Sequence, residues 1–266
     1  MAMPPRKITS VANELVKQWA SLRDAKHRHR ERLFVLEGTR LVDEALKSSL
    51  EVVAVCSSDS AWIKGLQVSE ACVRFEVTDA IVAKCSSTET PQTAFAVAAL
   101  PSPRTDFPWE TIEIALLLDR IQDPGNMGAA IRAAAAVGVD VVVIGDGCVD
   151  LYAPKTLRAA MGATFRVPVV HRDLKAVLPK LRRADCRIFA SALTEDATDL
   201  FQLRLRSTKV AWIVGNEGNG IGDSLLSEVD AIVTIPMLRQ TESLNVAQAT
   251  AVLLYESARQ KKSLTP

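Results

Sequence analysis

From Ile112 onward the chain repeats one pattern: a short, continuous apolar run, a turn, then a helix-length segment. The runs are IEIALLLD ending at Asp119, VDVVVIGD, RVPVV, CRIFASA, KVAWIVG and AIVTIP. None alternates apolar with polar residues. Such strands are buried on both faces, which calls for a parallel sheet with helices on each side. Helical segments fall between or after them: DPGNMGAAIRAAAAVG, APKTLRAAMGA with Pro154 suited to a first turn, DLKAVLPKLRR and ESLNVAQATAVLLYESARQ.

A boundary is expected in ALPSPRTDFPWETIE, where Pro101, Pro103 and Pro108 interrupt both periodicities. It divides the chain into residues 1–103 and 104–266. The first part is a smaller α/β domain. Val11, Leu15, Trp19 and Leu22 recur at helical spacing, LFVLEG reads as a strand, and TRLVDEALKSS reads as a helix with Thr39 as N-cap. EVVAVCSS, VRFEVT and QTAFAVAAL read as strands, and DAIVAKCSS as a short helix.

Composition narrows the class. The chain is 48% hydrophobic and 24% charged, without an apolar run approaching the ~18 residues of a membrane span. Its start, MAMPPRKITS, has no apolar signal-peptide core. The five cysteines form no C-x-x-C pair, and there is no H-E-x-x-H. We expect reduced thiols in a cytoplasmic protein, no membrane association and no metal.

Net charge is +1, but Arg23, Lys26, Arg28, Arg30 and Arg32 fall within ten residues, beside His27 and His29. A local basic run on a near-neutral chain is either a docking patch for a polyanion or a solvated helix end.

In a parallel sheet, ligands bind beyond the carboxyl ends of the strands. Three loops there are rich in Gly, Asn, Glu or Ser: DRIQDPGNMG, NEGNGIG and MLRQTESLN. The glycines at 215, 218, 220 and 222 do not fit G-x-G-x-x-G, and neither a P-loop nor a G-x-S-x-G elbow occurs. This excludes the dinucleotide-oxidoreductase and hydrolase fingerprints. It leaves a glycine-rich surface suited to an adenine-bearing ligand of low net charge, held through backbone groups.

Taken together and in this order, the segments resemble the signature motifs of the SpoU/TrmH branch of the SPOUT RNA methyltransferases. The first is DPGNMGAAIRAAAAVG, with Asn126 and Arg132. The second is IVGNEGNGI, with Gly215, Asn216, Glu217 and Gly220. The third is IPM followed by ESLNVAQATAVLLYE, with Ser243, Leu244 and Asn245. YAPKTLRAAMGATFRVPV is similar to the family's intermediate segment, so the resemblance spans about Ile112 to Glu256. The N-terminal part resembles the L30e-like RNA-binding extension of many members.

The resemblance implies a parallel-sheet domain closed by a deep trefoil knot, a homodimer, S-adenosylmethionine as methyl donor, and transfer to a ribose 2′-OH of structured RNA. Ribosomal RNA is the implied substrate. A tRNA enzyme, a thiopeptide-resistance enzyme and a non-catalytic RNA-binding protein of the same fold are the alternatives. Arg132 matches the catalytic arginine. A guanidinium stays protonated, so stabilising an oxyanion or clamping a phosphate is easier for it than acting as a base. Asn126, Glu217, Ser243 and Asn245 complete the catalytic set. Asn126 can also cap its helix, Glu217 can orient Arg132 or bind ribose hydroxyls, and Ser243 can cap the last helix. Gly215, Asn216, Gly220, Ile235, Met237 and Leu244 are the candidate cofactor contacts. Arg23, Lys26, Arg28, Arg30 and Arg32 are the candidate RNA contacts.

Overall fold

The computed structural model describes residues 4–103, 106–206, 208–238 and 243–261. The chain divides into two units. Residues 1–102 with 150–165 form the first, and residues 103–149 with 166–266 form the second. The chain first crosses between the units at residues 102 and 103, and the stretch from Asp150 to Phe165 returns to the N-terminal unit.

That unit contains β1 (Arg6–Ile8), α1 (Glu14–Ser21), α2 (Ala25–Glu31), β2 (Leu33–Glu37), α3 (Thr39–Leu46), β3 (Val52–Ser57), α4 (Ser60–Gly65), β4 (Val73–Val77), α5 (Asp79–Cys85) and β5 (Ala94–Ala99). Its five-stranded sheet runs β1-β4-β3-β5-β2. β1, β4 and β3 are mutually parallel, and β5 is antiparallel to both β3 and β2. The first helix is later than its apolar spacing suggests. Asn13 caps it through Leu15 N, so Val11 precedes the helix, and both Val11 and Leu15 are exposed. The buried face is Val16, Trp19 and Leu22. Gly38, with φ at 95°, occupies the cap position of α3, and Thr39 is its first residue rather than its cap.

The returning stretch is bound by charge and by packing. Leu157 joins the core of Phe34, Leu36, Val55 and Ala96, with Tyr152 and Phe165 against it. Asp150 accepts from the Arg28 guanidinium, and Arg158 pairs with Glu37 at 2.9 Å.

The second unit contains β6 (Ile114–Leu118), α6 (Pro124–Val137), β7 (Val141–Ile144), β8 (Val169–His171), α8 (Leu174–Arg183), β9 (Cys186–Ser191), β10 (Thr198–Asp199), β11 (Lys209–Val214), α9 (Asp223–Leu226), β12 (Ala231–Thr234) and α10 (Val246–Lys261); α7 (Pro154–Ala160) lies in the returning stretch between β7 and β8. Its seven strands run β10-β12-β9-β11-β6-β7-β8, and every pairing is parallel. β6, β7 and β11 are buried along their whole length except at Lys209, as continuous apolar runs require. On one face Leu174, Val177, Leu178 and Leu181 of α8 cover Leu117, Val143 and Ile213. The C-terminal helix α10 packs against α6 and β11, and Trp212 Nε1 donates to Ser257 Oγ of that helix at 2.8 Å. The alanines and Gly128 on α6 let the two helices approach closely.

All five cysteines are free thiols. Burial pushes Cys85 up to about 12 and Cys72, Cys148 and Cys186 up to about 11, which fits inert structural thiols.

Candidate functional site

Because all seven strands are parallel, their carboxyl ends open on one edge. There β9, β11 and β12 and the start of α10 enclose a cavity of about 560 Å³. That is within the range of small-molecule sites. Of the sequence-based candidates, Gly215, Asn216, Glu217, Gly220, Ile235, Met237, Ser243, Leu244 and Asn245 line it.

The loop after β11 is shaped from within. Asn216 and Gly220 exchange two backbone hydrogen bonds, each 3.0 Å. Asn216 Oδ1 accepts from Gly218 N and Asn219 N, and its Nδ2 donates to Arg120 O at 2.9 Å. The polar atoms of that side chain are therefore spent on the loop, although the residue borders the cavity. Gly215 cannot carry a side chain, since a Cβ there would lie 2.5 Å from Gly220 C and 2.6 Å from Ile221 Cγ1.

Behind the loop stands a pair that the motif reading passed over. Asp119 closes β6 and is buried; its Oδ2 accepts from Gly222 N at 3.0 Å and from Arg120 Nη2 at 3.1 Å. Arg120 itself adopts φ at 54° and also donates to Gly220 O at 3.3 Å. Three ties thus hold the glycine loop to the end of the neighbouring strand.

Asn126 belongs to α6, but it is not the cap. Asp123 caps that helix by accepting from Asn126 N at 2.8 Å, and Pro124 fills the first turn. The Asn126 side chain is thereby released. Its Nδ2 donates to Glu217 Oε1 at 2.8 Å, and its Oδ1 accepts from Asn245 Nδ2 at 2.9 Å. Asn245 in turn accepts from Ala247 N, so it, rather than Ser243, caps α10. One residue from each of the three motifs is joined in a single chain: Glu217, Asn126, Asn245. Burial pushes the Glu217 carboxyl up, but the Asn126 amide and backbone N–H groups of Glu217, Gln122 and Asp123 outweigh it. The carboxyl therefore lies below its ordinary range and is ionised, an acceptor only, at neutral pH.

Arg132 stands apart. It is exposed on α6, does not line the cavity, and makes no hydrogen bond or ion pair among the described residues. Glu217 therefore does not orient it; Glu217 serves Asn126 instead.

Ser191, Ala192, Leu193 and Thr194 also line the cavity. SALT carries no glycine or asparagine, so composition did not single it out. The available signal was positional, because β9 is a parallel strand and its following loop must reach the same edge.

In the N-terminal unit, Arg23, Lys26, Arg30 and Arg32 are exposed. Arg30 contacts Glu31 and His27, and Arg32 ends α2 with φ at 56° and reaches Leu100 O and Pro101 O. Arg28 departs from the expectation of an RNA contact. It is 3% exposed and its guanidinium is used by Asp150, Leu22 O and Arg23 O. The helical spacing turns it inward while its neighbours face water.

Comparison with known proteins matches residues 113–255 to the SpoU rRNA methylase family and residues 13–96 to the MRM3-like substrate binding domain. The chain belongs to the SpoU rRNA methylase family. It is similar to the 23S rRNA (guanosine(2553)-2′-O)-methyltransferase RlmP of Bacillus subtilis, at 38% identity over 251 residues, 94% of this chain and 98% of that one. Among solved structures, an AdoMet-bound rRNA methyltransferase from Sinorhizobium meliloti superposes with a TM-score of 0.86 at 27% identity, covering 99% of this chain and 100% of that one. A TrmH-family putative RNA methyltransferase from Porphyromonas gingivalis gives 0.84 at 30%, covering 94% and 99%.

Proposed function

We propose that the protein is an S-adenosylmethionine-dependent 2′-O-ribose methyltransferase of ribosomal RNA, working in the cytoplasm as a homodimer whose catalytic domain is closed by a trefoil knot. The observation that carries this reading is the chain Glu217–Asn126–Asn245, which joins all three motifs at a cavity of cofactor size. The AdoMet-bound Sinorhizobium relative and the RlmP relative support the cofactor and the RNA class.

The residues present fit the donor. The cavity combines apolar Ile235, Met237 and Leu244 with the backbone of Gly215 and Gly220, and among the described residues no lysine or arginine lines it. That suits adenine and a zwitterionic tail better than a polyphosphate. When bound, the sulfonium supplies an activated methyl whose transfer neutralises charge, so positioning is the main demand there. The acceptor needs more, because a ribose hydroxyl is a weak nucleophile until its proton is withdrawn. Ionised Glu217 holds Asn126 and offers its second oxygen to a hydroxyl. Ser243 and Asn245 border the same space. Arg132, protonated and unpartnered among the described residues, is available to stabilise the developing oxyanion or to clamp the adjacent phosphate. Arg23, Lys26, Arg30 and Arg32 supply phosphate contacts in the N-terminal unit; Arg28 is left out because its donors are occupied.

The test is calorimetry with S-adenosylmethionine, followed by mapping of 2′-O-methyl positions in ribosomal RNA with and without the gene. Cofactor binding and one lost methyl mark are expected. Absence of cofactor binding would favour a non-catalytic RNA-binding protein.

A further inference from the structure

We infer that a second RNA contact, outside the cofactor cavity and outside the N-terminal unit, is built around Phe201: a stacking platform for a single-stranded stretch of RNA. It rests on the RNA-substrate reading above. Phe201 is 60% exposed, whereas the preceding Leu200 is fully buried. Leaving a phenyl ring in water forfeits much of its burial free energy, yet this turn is fastened in place. Asp199 accepts from Phe201 N at 2.8 Å, and Leu203 N donates to Leu200 O. Gln260 of α10 then pins the next residues, accepting from Leu205 N at 2.7 Å and donating to Leu203 O at 3.1 Å.

Arginines surround the ring. Phe201, Arg204, Arg206, Arg259 and Gln260 border one open concavity that shares no residue with the cofactor cavity. Arg204 and Arg206 are exposed and have no hydrogen bond or ion pair among the described residues. Arg259 spends two of its five donors on Glu256. A rigidly presented aromatic face beside guanidinium groups is the chemistry that takes a base on its π-face and the flanking phosphates on planar cations. An acidic peptide would satisfy the cations but not the ring. A paired helix hides its base faces, so the fitting occupant is an unpaired stretch of the substrate RNA.

The experiment uses the full chain and a fluorescent single-stranded oligoadenylate of about 12 nucleotides, within the range such platforms occupy. Phe201→Ala is expected to weaken binding about tenfold, and Phe201→Trp to restore it, since loss of one stacked base is worth roughly that much. Arg204→Ala with Arg206→Ala is expected to flatten the log–log salt dependence by about 1.4, near 0.7 for each single-strand phosphate contact. Cofactor affinity should stay unchanged in every variant, which also certifies folding. Wild-type affinity in Phe201→Ala, or an unchanged salt slope in the arginine pair, overturns the proposal. So does a drop in self-association on replacing Phe201, which would make the patch a contact between copies. Failure of the wild-type protein to bind S-adenosylmethionine refutes the methyltransferase reading instead, and leaves the oligonucleotide comparison intact.

Discussion

Replacing Gly215 with alanine tests the architecture of the proposed cofactor loop most directly. The added Cβ would sit 2.5 Å from Gly220 C, 2.6 Å from Gly220 O and 2.6 Å from Ile221 Cγ1. Non-bonded carbons settle near 3.5 Å, so the loop must open by roughly 1 Å. The two Asn216–Gly220 hydrogen bonds, now 3.0 Å each, would then stretch to about 4 Å, beyond bonding distance. At about 1 kcal/mol each, the cost is ~2 kcal/mol, in line with the 1–3 kcal/mol typical of overpacking. If the loop unfolds with its domain, the midpoint of thermal unfolding falls by ~4–8 °C. If the loop opens locally instead, the loss shows as an S-adenosylmethionine affinity weaker by about 30-fold. Calorimetry and a thermal melt on one preparation read both outcomes. Gly218→Ala is the control, because its Cβ would meet only Asn216 Oδ1, at 3.6 Å, and it should change neither. A Gly215→Ala protein with wild-type melting and wild-type cofactor affinity would refute the reasoning.

Three further outcomes follow from the same geometry. Arg132→Ala should abolish methylation while leaving calorimetric cofactor binding intact, because the side chain is exposed and outside the cavity; retained activity removes it from the mechanism. Asp150→Ala should cost ~3 kcal/mol in denaturant unfolding by stranding the Arg28 charge, at the low end for a broken buried pair because Asp150 is partly exposed; Arg28→Met together with Asp150→Leu should recover most of that loss. Glu217 has a lowered folded pKa, so its contribution is fully present above the unfolded glutamate value of ~4.3 and is lost as pH falls through the lower folded value. Unfolding free energy should therefore keep this contribution through neutral pH and lose it only in acid, and Glu217→Gln, measured by the same denaturant titration, should remove that part of the acid dependence.

What the sequence discloses here divides along a physical line. Short continuous apolar runs alternating with helices call for a sheet buried on both faces, so the parallel sheet and the edge carrying the candidate site follow from patterning. Residue types in the three loops, together with their order, identify the family. Partnerships are another matter, because they depend on rotation about a helix axis and on which of several equivalent side chains takes a role first. Asp123 and Asn126 are both good caps. Asp123 takes the cap, and only then is the Asn126 amide free to bridge Glu217 and Asn245. Arg28 and Arg30 are two residues apart in one basic run, about 200° apart on a helix, so one is buried on Asp150 and the other faces water. Asp119 and Arg120 look like the polar end of a strand, and their hold on Gly220 and Gly222 across a hundred residues has no local signature. The stretch from Asp150 to Phe165 has the helical period of its neighbours, yet it serves the other unit. Its assignment rests on Asp150, Leu157 and Arg158 meeting partners more than a hundred residues away. Local pattern therefore specifies which edge carries the proposed site, whereas the long-range pairs decide which of its side chains remain free.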